Sequence, residues 1–309
     1  MLFRKIVLYY CEREIFEIDR MIFLMENCTT VSGIFSRKFT RLRKSWQWIR
    51  SGFEDELADL KESGKLTENG GAQIIWNTRS KFTIVCTAES GRRVVYKQYR
   101  KANRKLHFTY HLSPLAQEAV NYGMLEELGF PMAKLLAVGD VRKNFLLQTG
   151  YLMTEFAEGC RNGMDFCYTP EEGKEGELIH DRVRCMKFCR MHIVLLAKLH
   201  DNGIWHRGFS PANLLWREKE DGEMEPVWID VASCRRKSNL ALKKLAPVDL
   251  GNLFGKMALR KEEMEELIAL YWDSVQIKRF PDVETLRKKI RITYTMQMNR
   301  FNPGKPHEL

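Results

Sequence analysis

The stretch Leu199-His200-Asp201-Asn202-Gly203-Ile204-Trp205-His206-Arg207-Gly208-Phe209-Ser210-Pro211-Ala212-Asn213-Leu214-Leu215-Trp216, followed by Val227-Trp228-Ile229-Asp230, decides the fold. An apolar stripe at helical spacing runs into it through Val183, Met186, Cys189, Ile193, Leu196 and Leu199, and Gly203 stops that helix. A polar loop follows, then a short strand, a turn at Asp221-Gly222 and a second strand that ends in Asp230.

Upstream the periodicity is different. Residues 72–76, 82–87 and 93–99 are short β-rich runs separated by polar turns at 77–81 and 89–92, the pattern of an antiparallel meander. Residues 115–128 are helical by spacing, with Leu115, Ala119, Tyr122 and Leu125 on one face, and Gly129 to Pro131 end the helix. Residues 134–141 and 145–156 are a further strand pair. A strand-rich part with one helix, followed by a helical part, predicts an α+β chain of two lobes with a cleft between them. The expected divisions are an N-terminal extension, 1–50, a first lobe, 51–158, and a second lobe, 159–309.

Composition bounds the function. With 44% hydrophobic and 29% charged residues and only 9 prolines in 309, the chain is globular and neither collagen-like nor disordered. Its 50 Lys and Arg against 40 Asp and Glu leave +10, which favours an anionic partner. The eight cysteines include no Cys-x-x-Cys pair, so a structural zinc site is not expected, and Cys185 and Cys189, one turn apart, belong to a buried helix face. No apolar run approaches the roughly 20 residues of a membrane span and no signal peptide is evident, so the expected setting is the reducing cytoplasm. Within residues 1–50, Phe3, Ile6, Ile15, Ile18, Ile22 and Phe23 suggest an amphipathic helix, and the basic run Arg37 to Lys44 leads into Trp46 and Trp48. Such a segment either touches an anionic membrane surface or packs on the domain as a solvated helix. Met21 and Met25 are alternative starts.

The 199–230 stretch resembles the catalytic and metal-binding segment of the protein-kinase-like fold. Within that fold it is similar to the lipopolysaccharide kinases that phosphorylate Kdo or heptose sugars of the inner core. The features that carry the likeness are Ser210-Pro211-Ala212-Asn213, the terse Ile229-Asp230-Val231-Ala232, and Val248-Asp249-Leu250-Gly251-Asn252-Leu253. The resemblance extends over about residues 72–275 and implies a role for each matching residue. Lys97, in Val94-Val95-Tyr96-Lys97, would neutralise ATP phosphates, and Glu118 would orient it. The backbone near Glu155 and Ala157 would bind adenine. Asn213 and Asp230 would hold Mg²⁺, and Asp249 would brace the loop.

Two departures stand out. The first turn, Asn77-Thr78-Arg79-Ser80-Lys81, lacks the glycines expected over phosphates, and Gly208 stands where the resemblance implies the proton-accepting Asp. Two readings stay open. One is an ATP- and Mg²⁺-dependent phosphotransferase acting on a sugar hydroxyl of the inner core at the cytoplasmic membrane face, slow or using another group such as His206. The other is a nucleotide-binding pseudokinase that regulates or scaffolds envelope glycolipid assembly. The basic runs Arg235, Arg236, Lys237, Lys243, Lys244 and Arg287, Lys288, Lys289, Arg291 fit an anionic substrate or a peripheral position on the inner membrane. A nucleic-acid binder has only charge in its favour, with no reading motif beside it.

Overall fold

The computed structural model describes residues 45–67, 70–100, 112–144, 146–167, 181–257 and 259–301. The amphipathic helix and basic run expected before Trp46 lie outside them. The chain divides into two compact units, one of residues 1–129 and 134–156, the other of Phe130–Ala133 and Ala157–Leu309.

In the first unit the sheet holds β1 (Trp46–Ile49), β2 (Gln73–Asn77), β3 (Lys81–Thr87), β4 (Arg93–Tyr99), β5 (Leu135–Lys143) and β6 (Leu146–Glu155). They are ordered β1-β5-β6-β4-β3-β2 and all neighbours are antiparallel. Alternation sets the faces. Phe82, Ile84 and Cys86 of β3 and Val94 and Tyr96 of β4 pack on Phe53, Leu57 and Leu60 of helix α1 (Glu54–Glu62) and its cap. Lys97, one residue beyond Tyr96, therefore points from the opposite face. Burying Leu57 or Leu60, each at most 1% exposed, contributes about 1.5–3 kcal/mol. Helix α2 (Pro114–Glu127) packs on β5 and β6, with Pro114 in its first turn and Ser113 Oγ accepting the Ala116 N–H as its cap.

Trp46 and Trp48 are half-buried in β1, an edge strand registered against Asp140 and Val138 of β5, and are part of the sheet. The single helix expected in this lobe is joined by a second, α1.

The second unit is organised on helix α3 (Arg182–Asp201), capped by Asp181, whose carboxylate accepts the Arg184 N–H. Met186, Cys189, Ile193, Leu196 and Leu199 are buried as expected, but Val183 is 80% exposed. At 100° per residue it lies about 120° round the helix from Cys189, off the apolar stripe. Beside α3 lie β7 (Arg161–Asn162) and the hairpin β9 (Leu214–Glu218) and β10 (Met224–Trp228), then the short pair β8 (Ile204–Trp205) and β11 (Arg235–Arg236). Helices α4 (Asn239–Phe254), α5 (Lys261–Ser274) and α6 (Val283–Phe301) complete it. Trp228 is fully buried among Phe130, His206 and Phe209, and its indole N–H donates to His192 Nδ1 at 2.9 Å. Among the described residues no helix is long and apolar enough to cross a membrane.

Candidate active site

In the first unit the central contact is between Lys97 on β4 and Glu118 on α2, with Nζ 2.7 Å from Oε1. The Glu118 side chain is only 3% exposed and that of Lys97 21%. A fixed ammonium is thus held against a nearly buried carboxylate.

The helix that carries Glu118 is pinned at its start. Ser113 donates to Asp140 Oδ1 at 2.6 Å, and Arg142 Nη2 donates to Asp140 Oδ2 at 2.9 Å, with both charged side chains fully buried. Burial pushes the Asp140 carboxyl up, against the opposing pull of Ser113 and Arg142. Gly150, directly opposite Asp140, leaves the room, because a Cβ there would lie 2.9 Å from Oδ1. Nothing in the sequence pattern announced this buried group.

Glu155 closes β6. Its N–H donates to the Lys134 carbonyl at 2.8 Å, and the Phe156 N–H donates to Arg93. In the second unit the Ala157 carbonyl accepts the Cys160 N–H, in a turn where Gly159 takes φ +68°. Of the expected adenine contacts, the Glu155 N–H is therefore already committed to its neighbour strand.

The second unit gathers the loop residues. Asp249 on α4 is fully buried and accepts the His206 N–H at 3.1 Å, while His200 Nε2 lies 3.3 Å from the same oxygen. His200 Nδ1 in turn lies 2.7 Å from the Tyr271 hydroxyl of α5. Asp249 thus braces the loop, as the sequence led one to expect.

The His206 ring does not suit a substitute base. It is fully buried, edge-on to Phe209 and Trp228 at 5.4 Å each, and burial lowers its pKa. Arg207 and Asp230 adopt φ 62° and 53°, a left-handed backbone that is costly for non-glycine residues and concentrates at functional sites.

Gly208 is not left-handed, and the nearest atoms to a Cβ there are Asn213 Nδ2, His206 Nδ1 and Ser233 Cβ, all at 3.9 Å. Asn213 donates through Nδ2 to the Gly208 carbonyl at 3.2 Å, and its backbone carbonyl accepts the Ile229 N–H at 3.1 Å. Asn213 and the residue before Asp230 are thereby tied together at the open end of the β9–β10 hairpin. One loop cation escaped sequence reasoning: Lys256, just beyond α4, donates from Nζ to Ser210 Oγ at 2.9 Å.

A hard amide oxygen on Asn213 and an exposed carboxylate on Asp230, on adjoining segments, fit Mg²⁺, which needs few protein oxygens when phosphates supply the rest. Among the described residues there is no group of three or more His, Cys, Asp or Glu that could hold a metal ion.

A lysine–glutamate pair on a small antiparallel sheet in the first unit, and in the second a braced polar loop leading to an Asn and an Asp at a hairpin end, are the parts of a protein-kinase-like fold. The family model of the lipopolysaccharide kinase (Kdo/WaaP) family matches residues 77–271, more than half of the chain, and the protein belongs to that family. Among solved structures it is similar to WaaP in complex with acyl carrier protein, at 14% identity over 83% of this chain and 97% of that one, TM-score 0.52. It also matches a Rio2 kinase–ADP/Mg²⁺–phosphoaspartate complex from Chaetomium thermophilum, at 13% identity over 79% and 70% of the two chains, TM-score 0.38. No curated protein matches its sequence.

Proposed function

We propose that the protein transfers the γ-phosphoryl group of ATP to a sugar hydroxyl of the lipopolysaccharide inner core, Kdo or heptose, at the cytoplasmic face of the inner membrane. The observation that carries this is the Lys97–Glu118 pair, retained at 2.7 Å in a chain of the lipopolysaccharide kinase family that also keeps Asn213 and Asp230 together. A pure scaffold has no physical need of a buried carboxylate that aims a lysine.

Each residue then has a task. Lys97 neutralises phosphate charge and Glu118 fixes its direction. Asn213 has its amide nitrogen committed to Gly208, so its oxygen is the group assigned to the metal, beside Asp230. Bound Mg²⁺ would supply charge neutralisation across the phosphates. The Glu155 carbonyl and the Ala157 N–H are the groups assigned to adenine, and Lys256 adds positive charge at the loop.

The sugar oxygen forms the new P–O bond as the bond to ADP breaks. Without a carboxylate at Gly208 the hydroxyl proton leaves late, to water. General-base help is worth about 10²- to 10⁴-fold, while positioning and electrostatics carry most of phosphoryl transfer, so a slow kinase is consistent with Gly208.

The second reading, a nucleotide-binding pseudokinase in glycolipid assembly, is favoured by Gly208 and by the buried His206, which leave the loop without an evident base. Calorimetry with Mg-ATP, followed by ATP turnover with and without purified lipopolysaccharide core, separates them. Core-stimulated turnover establishes the enzyme, binding without turnover establishes the pseudokinase, and absence of nucleotide binding overturns both.

A further inference from the structure

Strand β2 is the edge of the six-stranded sheet and carries Ile74, Ile75 and Trp76, which are 48%, 52% and 59% exposed. Single exposed apolar residues are ordinary, but three in succession on an edge point to something that covers them.

The pairing of β2 with β3 shows where Trp76 is directed. Ile74 pairs with Ile84, but Trp76 pairs with Thr83, because the register shifts between Ile74 and Trp76. Plain alternation would put Ile74 and Trp76 on one face, and the bulge puts them on opposite faces. Ile74 joins the α1 side with Ile84 and Tyr96. Trp76 joins the row Thr83, Lys97 and Leu152. The indole therefore stands on the face of the phosphate-neutralising lysine, two strands and about 10 Å away across the sheet. Among the described residues the Trp76 indole makes no hydrogen bond or ring contact.

Its row also distinguishes the ligand. The end of the sheet assigned to adenine follows the row of Val85, Val95 and Thr154, next to Glu155. Trp76 is in the next same-face row, about 7 Å further along the strands, at the phosphate end, where the group that receives the phosphoryl must come. A pyranose offers a flat array of C–H groups that suits the negative face of an indole. Arg79 and Lys81, both exposed in and after the adjoining turn, supply charge for an acidic or phosphorylated sugar.

We propose that Trp76 is an acceptor-recognition residue whose indole stacks on a sugar ring of the acceptor glycan, an inference that rests on the phosphotransferase reading above. Being exposed, it can be replaced without opening the core. The full chain and its W76A and W76F variants are to be titrated with three probes: lipid-free lipopolysaccharide core oligosaccharide, Mg-ATP, and anionic vesicles lacking glycan.

The expected result is that W76A weakens oligosaccharide binding roughly three- to tenfold, the scale of one aromatic contact, that W76F retains most of it, and that the other two affinities are unchanged. Unaltered oligosaccharide binding in W76A overturns the proposal. So does a loss of Mg-ATP affinity, which would make the indole a nucleotide contact, or a loss confined to vesicles, which would make it a membrane contact. If the unsubstituted protein binds Mg-ATP but no oligosaccharide, the sugar-kinase reading itself fails, and the proposal with it.

Discussion

Lys97 Nζ lies 2.7 Å from Glu118 Oε1, although the two are 21 positions apart and sit on separate elements, β4 and α2. Because Glu118 is almost fully enclosed, Lys97→Met removes the ammonium that lies 2.7 Å from a nearly buried carboxylate. A fully buried pair broken this way costs about 3–5 kcal/mol, and the partial exposure of Lys97 reduces that to about 1–3 kcal/mol. The double variant Lys97→Met with Glu118→Gln is expected to regain thermal stability without regaining Mg-ATP affinity. Denaturation and calorimetry on the two proteins check it, and recovery of both properties together would show the pair to be structural only.

Asp230→Asn is a clean test of the metal assignment. Asn is among the residues that best tolerate the left-handed backbone found at φ 53°, so the loop keeps its shape while one negative charge is lost. Mg-dependent ATP affinity is expected to fall by at least tenfold, with the melting temperature little changed. Calorimetry at fixed ATP with varied Mg²⁺ reads it, and an unchanged affinity removes Asp230 from the site.

What was legible in the sequence follows the range of the interactions involved. Strands β2 to β6 and helices α2 and α3 announce themselves because alternation and helical spacing are local signals, and their ends fall within a residue or two of expectation. Of the candidate site residues, Lys97 and Glu118 sit on β4 and α2, while Asn213 and Asp230 flank the β9–β10 hairpin and were singled out by the resemblance. Helix α1 was passed over because its apolar signal is just Phe53, Leu57 and Leu60 in a charged stretch. That Trp46 and Trp48 sit in the sheet left no local trace, because their burial comes from pairing with β5, about ninety residues away. The contact of Lys256 with Ser210 spans 46 residues, and the turn of Trp76 toward Lys97 depends on a bulge, so neither leaves a periodic trace.

Burial carries a pH prediction at His192. Its ring is fully enclosed and its pKa is pushed down to about 3 from an ordinary 6.5. The unfolded chain therefore binds a proton that the folded one refuses between those values, and stability falls as pH drops from about 6.5 toward 3, by up to about 1.4 kcal/mol per unit. His192→Gln, which keeps an acceptor for the Trp228 indole, is expected to flatten the slope of melting temperature against pH below 6.5. An identical slope in the two proteins would place the acid sensitivity elsewhere.

Membrane attachment can be tested on described residues. Leu240, in the first turn of α4, is 75% exposed, and Lys243 and Lys244, three and four positions on, share its side of the helix and are exposed, as is Arg236 nearby in sequence. The other basic run is quieter than its sequence suggests, because Arg287 and Arg291 are bound to Glu265 and Arg287 also to Glu284. A basic residue near an anionic surface contributes about 1 kcal/mol, so Lys243→Glu with Lys244→Glu is expected to weaken binding to anionic vesicles by well over tenfold. Added salt is expected to release the unsubstituted protein in the same assay. Vesicle binding indifferent to both changes would exclude this patch.

Gly208 decides between the two functional readings. Its backbone is not left-handed, and a Cβ would meet nothing nearer than 3.9 Å, so the first carbon of an Asp side chain enters without backbone strain or clash. The new carboxylate would start beside Asn213 Nδ2, in the loop that Asp249 already braces, which is where a proton acceptor is needed. If the protein is a sugar kinase short of its base, phosphate transfer to core sugar is expected to rise by up to about 10² to 10⁴, with Mg-ATP affinity unchanged. The gain should disappear at low pH as the new carboxylate is protonated, which ties it to proton acceptance and not to a general repair of the fold. A Gly208→Asp protein that melts normally, binds Mg-ATP and still transfers nothing would establish that more than one carboxylate is missing, and the pseudokinase reading would then hold.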